Sequence, residues 1–254
     1  MLTAIIRGVS PAAARCELTF LERRAIDYAK AVEQHAEYVG LLARLGARVV
    51  SLPVEPDLPD SMFVEDPAIV LDELAVILPM GTESRRGEVP SLAAALAPYR
   101  PLESINLPGT IEGGDVLRLG RKLFVGLTRR TNEEGIRQLR AIVAPHGYEL
   151  AAVPVTGCLH LKSAVTSVGH NTLLANRAWL DTAPFTGCDW VDVDAQEPHA
   201  ANALALGNTV ILPASFPRTR ARLEARGFRV TLLDISELQK AEAGLTCSSL
   251  LFEA

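Results

Sequence analysis

Short apolar runs come in pairs along the chain, each pair split by a polar turn and followed by a helical stretch and a further apolar run. Ala68–Leu71 and Ala75–Leu78 flank Asp72-Glu73, a hairpin pattern. Ser84–Ala97 then reads as a helix closed by Pro98, and Leu102–Leu107 as a weak strand. The order repeats: Val116–Leu119 and Leu123–Leu127 around Gly120-Arg121, a helix over Asn132–Ala144, and a strand over Tyr148–Val155. A third unit has strands Ala164–Val168 and Thr172–Ala175, a short helix near Trp179 and a strand at Trp190–Val193. A fourth has strands either side of Gly207-Asn208, a helix over Pro217–Arg226 ended by Gly227, and a strand at Phe228–Leu233. The fifth is divided between the chain ends, Thr246–Phe252 pairing with Thr3–Arg7. Its helix presents Tyr28, Val32, His35, Val39 and Leu42 on one face, and Ala47–Leu52 is the returning strand.

Five such units predict an α/β chain built as a closed cyclic array, sealed by pairing of the N- and C-terminal segments. An open α/β sandwich is the alternative that the pattern allows. No linker or low-complexity tract divides the chain, so residues 1–254 read as one domain.

The repeat acquires chemical meaning at the residue just before each hairpin. Asp66, Glu112, His160, Asn202 and Cys247 follow one another at intervals of 46, 48, 42 and 45 residues. In a cyclic array equivalent positions surround one axis. Two carboxylates, an imidazole, an amide and a thiol would then meet at one end of it, a set suited to holding a cation, moving protons and attacking carbon. Taken singly, each has a plainer reading. Cys247 is a strand cysteine, His160 a core histidine between leucines, and Glu112 an acid in the turn Glu112-Gly113-Gly114-Asp115, with Asp115 a turn or supporting residue. Asp60, Glu65 and Asp66 are three acids whose crowding costs repulsion unless a cation lies among them.

Composition narrows the classes. A net charge of −5 without a Lys/Arg cluster argues against nucleic acid and is compatible with a small cationic substrate. No window approaches the apolar length of a membrane helix, and the apolar run before Arg7 is too short for a secretory signal. The four cysteines, Cys16, Cys158, Cys188 and Cys247, form no CxxC pair, so reduced thiols in the cytoplasm are expected.

Phe63-Val64-Glu65-Asp66, Ser84-Arg85-Arg86, Thr110–Asp115, Gly126–Asn132, Leu159–Ser163 and Leu245–Ser248, in that order, resemble the dimethylargininase family of the guanidino-group modifying (pentein) superfamily. The resemblance runs from near Leu18 to the C-terminus. It implies a five-bladed α/β-propeller of ββαβ units with pseudo-fivefold symmetry. It also implies hydrolysis of Nω-methylated arginine to citrulline and methylamine or dimethylamine through a covalent thiouronium on cysteine, without metal or organic cofactor. By the same resemblance Cys247 is the nucleophile, His160 the general acid/base and Glu112 the carboxylate that holds guanidinium and histidine. Asp66 matches a second guanidinium-binding carboxylate, with Glu65 beside it in the same acidic, substrate-binding motif, and Asp60 a contact to the α-amino group. Arg85 and Arg130 match α-carboxylate ligands, and Leu18 falls in a mobile lid. Some family members carry aspartate at the position of Glu112, and Asn176–Pro198 matches least. Methylated arginine is the partner expected; a homodimer is allowed.

Competing readings stay within reach of the same residues. An arginine deiminase-like hydrolase would act on the unmethylated guanidine, and an amidinotransferase would pass the amidino group to an amine. From other classes, Cys247, His160 and the acids offer zinc-type ligands, although no second histidine stands at helical spacing. A propeller that binds without catalysis is the last alternative.

Overall fold

The computed structural model describes residues 1–254. Strand β1 (Leu2–Arg7) is followed by helix α1 (Tyr28–Arg44) and β2 (Arg48–Leu52). Asp27 caps α1, its carboxylate accepting from the backbone N–H of Lys30 at 3.1 Å. Gly46, at φ +94°, turns the chain out of it in a left-handed conformation that side chains resist. Next come β3 (Ala68–Val70), β4 (Ala75–Ile77), α2 (Val89–Leu96) and β5 (Leu102–Ser104). The third group is β6 (Val116–Leu119), β7 (Lys122–Leu127), α3 (Glu133–Val143) and β8 (Glu149–Pro154). A short α4 (Leu161–Ala164) leads into β9 (Val165–Gly169), β10 (Thr172–Ala175) and β11 (Asp189–Asp192). The chain ends with β12 (Leu204–Leu206), β13 (Thr209–Pro213), α5 (Pro217–Ala225), β14 (Arg229–Leu233), α6 (Ser236–Gln239) and β15 (Leu250–Glu253).

These strands form five separate three-stranded sheets rather than one open sheet. In four of them consecutive strands make an antiparallel hairpin, and the second strand pairs in parallel with the third after a crossover. The fifth has the order β15-β1-β2, so Leu2 faces Glu253 and Ile5 faces Leu250 across an antiparallel ladder. The expected pairing of the two ends of the chain is therefore present.

Apolar residues gather into five clusters, each joining one sheet to its helix and its neighbour. Ile136, Leu139 and Val143 of α3 lie with Ile69 and Val76 of one sheet and Leu123 and Val125 of the next. A fully buried Leu or Ile of this kind stabilises by about 1.5–3 kcal/mol.

Local differences from the sequence reading have identifiable causes. The helix expected over Ser84–Ala97 is broken into a 3₁₀ stretch, Glu83–Glu88, and α2, with Pro90 in the first turn of α2 where its missing N–H costs nothing. The helix near Trp179 is only the 3₁₀ turn Arg177–Trp179, and the strand from Leu102 stops at Ser104. In α1 the core-facing side is rotated from the predicted one. Ala31, Gln34, His35, Tyr38, Leu41 and Leu42 are buried, whereas Tyr28 and Val32 are exposed. Tyr38 decides that register, because its hydroxyl donates to Leu245 O at 2.9 Å and lies 2.6 Å from Ser249 Oγ. Helix α1 is thus bolted to the segment that carries Cys247.

Candidate active site

The segments before the hairpins converge, and glycine makes it sterically feasible. A Cβ on Gly113 would lie 2.0 Å from Glu65 O, and one on Gly114 would lie 2.5 Å from His160 Nδ1 and 2.9 Å from Asp66 Oδ1. Only a residue without a side chain lets the Glu112 turn pass this close to both neighbours. Backbone bonds complete the joint: Gly113 N–H donates to Asp66 O at 2.8 Å, Gly114 N–H to Asp66 Oδ1 at 3.1 Å, and Glu65 N–H to Cys247 O at 3.3 Å.

Glu112 is 0% exposed and each of its carboxylate oxygens is occupied. Oε2 lies 2.7 Å from His160 Nε2, while Oε1 accepts from Gly81 N–H at 3.1 Å and Arg130 Nη1 at 3.3 Å. Burial alone would push this acid up, but His160, Arg85 and Arg130 outweigh it and hold Glu112 down to about 2. His160 is buried too, which disfavours its charge. Asp66, Asp115 and Glu112 overcome that and raise it to about 9, so the ring is an imidazolium at neutral pH.

Arg85 is a buried guanidinium gripped on three sides. Nη1 donates to Asp66 at 2.8 Å, and Nε and Nη2 reach Glu88 at 3.0 and 2.9 Å in a two-pronged pair. Burial pulls its pKa down, yet Glu88 and Asp66 set it well above the ordinary value. Asp60 accepts from Glu17 N–H at 3.1 Å; burial raises its carboxyl more than Arg85 lowers it.

Cys247 sits in the 3₁₀ turn Thr246–Ser248 ahead of β15, with its Sγ 3.4 Å from the donor Gly244 N–H. Burial, then Glu65 and Asp66, push its thiol up to about 12. Asn202 braces this turn: its Oδ1 accepts from Thr246 N–H at 3.0 Å, and its Nδ2 donates to Thr246 Oγ1 and Lys162 O, both at 3.1 Å.

Cys247, His160, Asp66, Asp60, Arg85 and Arg130 line one small cavity. A thiol, an imidazolium paired to a carboxylate, and further acids around an enclosed space are equipped to grip a flat cation and attack its carbon.

Comparison with known proteins bears on this directly. Residues 18–183 match the family described as N,N dimethylarginine dimethylhydrolase, eukaryotic. The N(G),N(G)-dimethylarginine dimethylaminohydrolase of Pseudomonas aeruginosa is 38% identical over 228 residues, covering 89% of this chain and 90% of that protein. The enzyme of the same name from Streptomyces coelicolor is 38% identical over 249 residues, covering 97% and 95%. The chain belongs to the dimethylarginine dimethylaminohydrolase family.

A solved structure of the P. aeruginosa family member, a cysteine-to-serine mutant complexed with citrulline, superposes with a TM-score of 0.93 at 35% identity, covering 99% of this chain and 100% of that one. The N-terminal domain of a cyanobacterial arginine dihydrolase matches with a TM-score of 0.86 at 17% identity, which speaks to the fold alone.

Within this family member the expected site residues do not all face the same space. Glu65 does not line the cavity of Cys247 and His160. Its carboxylate takes a hydrogen bond from Thr246 Oγ1 at 2.7 Å and an ion pair with Lys162 Nζ, and it borders a separate cavity of about 500 Å³ with Lys162 and Thr246. Leu18 packs against the apolar cluster around α1, while its neighbour Glu17 lines the catalytic cavity and Thr19 Oγ1 accepts from Arg130 at 3.2 Å. Ligand-type atoms of Asp66, Glu112 and His160 lie within 4.8 Å of one another, a set that leaves out Cys247. Arg85 and Arg130 already neutralise both carboxylates, and a divalent cation there would face two guanidinium groups at hydrogen-bond distance from its own ligands.

Asp115, read as a turn or supporting residue, has the supporting place, and other contributors escaped the sequence reading. Asp115 is wholly buried, accepting from Leu161 N–H at 2.9 Å and from the hydroxyls of Thr128 and Thr131 at 2.8 and 2.6 Å, so it fixes the backbone on which His160 rides. Glu88 was visible in principle, three residues beyond Arg85 on one helical face. Ala241, Glu242 and Ala243 line the cavity but carry no local sequence signal.

Proposed function

We propose that this chain hydrolyses Nω-methylated arginine to citrulline and methylamine or dimethylamine, with Cys247 as nucleophile, His160 as general acid and base, and Glu112 as the carboxylate that holds His160 charged. The observation that carries the reading is His160, backed at 2.7 Å by the buried Glu112, facing the same small cavity as Cys247 and Asp66. Relatives 38% identical are named for this activity, and one relative's structure holds citrulline.

In the free protein the sulfur is protonated and His160 is an imidazolium. The substrate guanidinium enters beside Asp66 and Glu112, and its charge lets Cys247 release its proton to solvent. The thiolate attacks the guanidinium carbon and gives a neutral tetrahedral adduct. His160 donates its proton to the methylated nitrogen, the C–N bond breaks, and the amine leaves a cationic S-alkylthiouronium. Neutral His160 then takes a proton from water as it attacks; the C–S bond breaks, the thiolate departs, and loss of a proton yields citrulline. Asp60 serves the α-ammonium, Arg85 and Arg130 the α-carboxylate, and Leu18 belongs to the cover over the cavity.

The five units are read as blades of one closed propeller, one catalytic domain over residues 1–254, in keeping with contacts of β15 with β3, β6 with β9 and β9 with β12. No helix is long and apolar enough to cross a membrane, and we assign the enzyme to the cytoplasm, with a homodimer as the assembly to test. Citrulline release from monomethyl-, dimethyl- and unmethylated arginine and from agmatine tests the proposal. Dimethyl- or monomethylarginine should be turned over with the highest kcat/KM, and preference for unmethylated arginine refutes it.

A further inference from the structure

Residues 17–26 carry no helix or strand; Glu17 lines the catalytic cavity and Thr19 Oγ1 accepts from Arg130 in its wall, so the stretch is taken as a cover at its edge. Three consecutive backbone N–H groups of this stretch point at one carboxylate. Glu242 accepts from Thr19 at 3.0 and 3.1 Å, from Phe20 at 2.5 Å and from Leu21 at 2.6 Å. Successive N–H groups arranged in this way make an anion nest. Glu242 also adopts φ +58°, a left-handed backbone that costs a residue with a side chain, so the arrangement is kept against a local penalty.

Apolar packing anchors the cover at Leu18 and Ile26 but not between them. Phe20 and Leu21 are 46% and 41% exposed, and they border a second cavity of about 330 Å³ that shares Glu242, Leu159 and Ala243 with the catalytic one. The polar attachments do more. When the cover is down, Glu17 N–H bonds Asp60 and Thr19 Oγ1 bonds Arg130, the two side chains assigned to the amino-acid end of the substrate.

We propose that Glu242 is a positioning residue, a latch whose carboxylate seats the cover and thereby aligns Asp60 and Arg130 for the α-amino acid portion of the substrate. The inference rests on the function proposed above. Opening the cavity requires this one side chain to release three donors together, and rebinding them closes it.

Glu242→Gln keeps the shape and removes the charge, and Glu242→Gly removes the latch while relieving the left-handed strain. Amide hydrogen exchange at Thr19, Phe20 and Leu21, measured without substrate, should quicken about tenfold or more in both variants. With dimethylarginine, KM should rise about tenfold, more than kcat falls, and Glu242→Gly should unfold at no lower temperature than wild type. Unchanged exchange overturns the latch, and faster exchange with unchanged KM overturns its bearing on substrate. A loss of thermal stability that parallels the rise in KM in both variants reduces Glu242 to a structural residue and also overturns it. If wild-type protein releases no citrulline from any methylated arginine, the functional reading fails while the exchange measurement still judges the latch.

Discussion

Titrating the Cys247 thiol with and without a bound guanidinium tests the electrostatics of the whole cavity. Burial and the charges of Glu65 and Asp66 push that thiol up to about 12 in the free protein. A substrate cation in contact with the sulfur acts in the opposite sense. One unit charge at roughly 4 Å, with an effective dielectric constant of about 20, is worth about 4 kcal/mol. At about 1.4 kcal/mol per pKa unit this lowers the thiol by about three units and raises the thiolate fraction near neutral pH about a thousandfold. Thiolate absorbance in the ultraviolet, recorded against pH for wild type and for Cys247→Ser, isolates this sulfur from Cys16, Cys158 and Cys188, which cancel in the difference. The measurement is repeated with a saturating arginine analogue that is not turned over. A free-protein value at or below about 8.5, the ordinary thiol range, refutes the reasoning, as does an analogue that leaves the titration unmoved.

The His160 imidazolium, raised to about 9, should impose an alkaline limb on kcat near that pH, because the amine cannot depart unprotonated. In Glu112→Gln burial is opposed by less negative charge, so the limb should move to lower pH. The same group stabilises the fold fully below its unfolded value of about 6.5, and that contribution should be lost as pH rises through about 9. Gly114→Ala places a Cβ 2.5 Å from His160 Nδ1; displacing the ring by about 1 Å should cost kcat about a hundredfold, and an unimpaired kcat counts against the close packing. Asn202→Ala removes two hydrogen bonds to the turn that carries Cys247 and a third to Lys162, and should lower stability by about 2–3 kcal/mol in urea titrations; a loss under about 0.5 kcal/mol contradicts the bracing role.

What the sequence revealed and what it hid divide along a physical line. Hairpin turns and the near-constant interval from Asp66 to Cys247 are written locally or periodically, so the strand pairs and most of the convergent residues were legible. The rotation of α1 was not, because Tyr38 takes its place from Leu245 and Ser249, some two hundred residues away. Glu65 and Asp66 are neighbours in a tight turn, where no regular alternation tells which way each side chain points; Asp66 reaches the catalytic cavity and Glu65 pairs with Lys162 on the far side. Asp115 could be read only as either a turn acid or a supporting one, since its partners, Leu161 and the two threonines, come from other segments. Pairing across long separations is invisible to any window of sequence.

The ladder between Leu2–Ile5 and Leu250–Glu253 has a temporal side. β1 is the first strand in the order and can pair with β15 only once every other strand has been made, so this ladder is the last of the five that can close. The turn that carries Cys247 immediately precedes β15, so the placing of that sulfur is tied to the same closure.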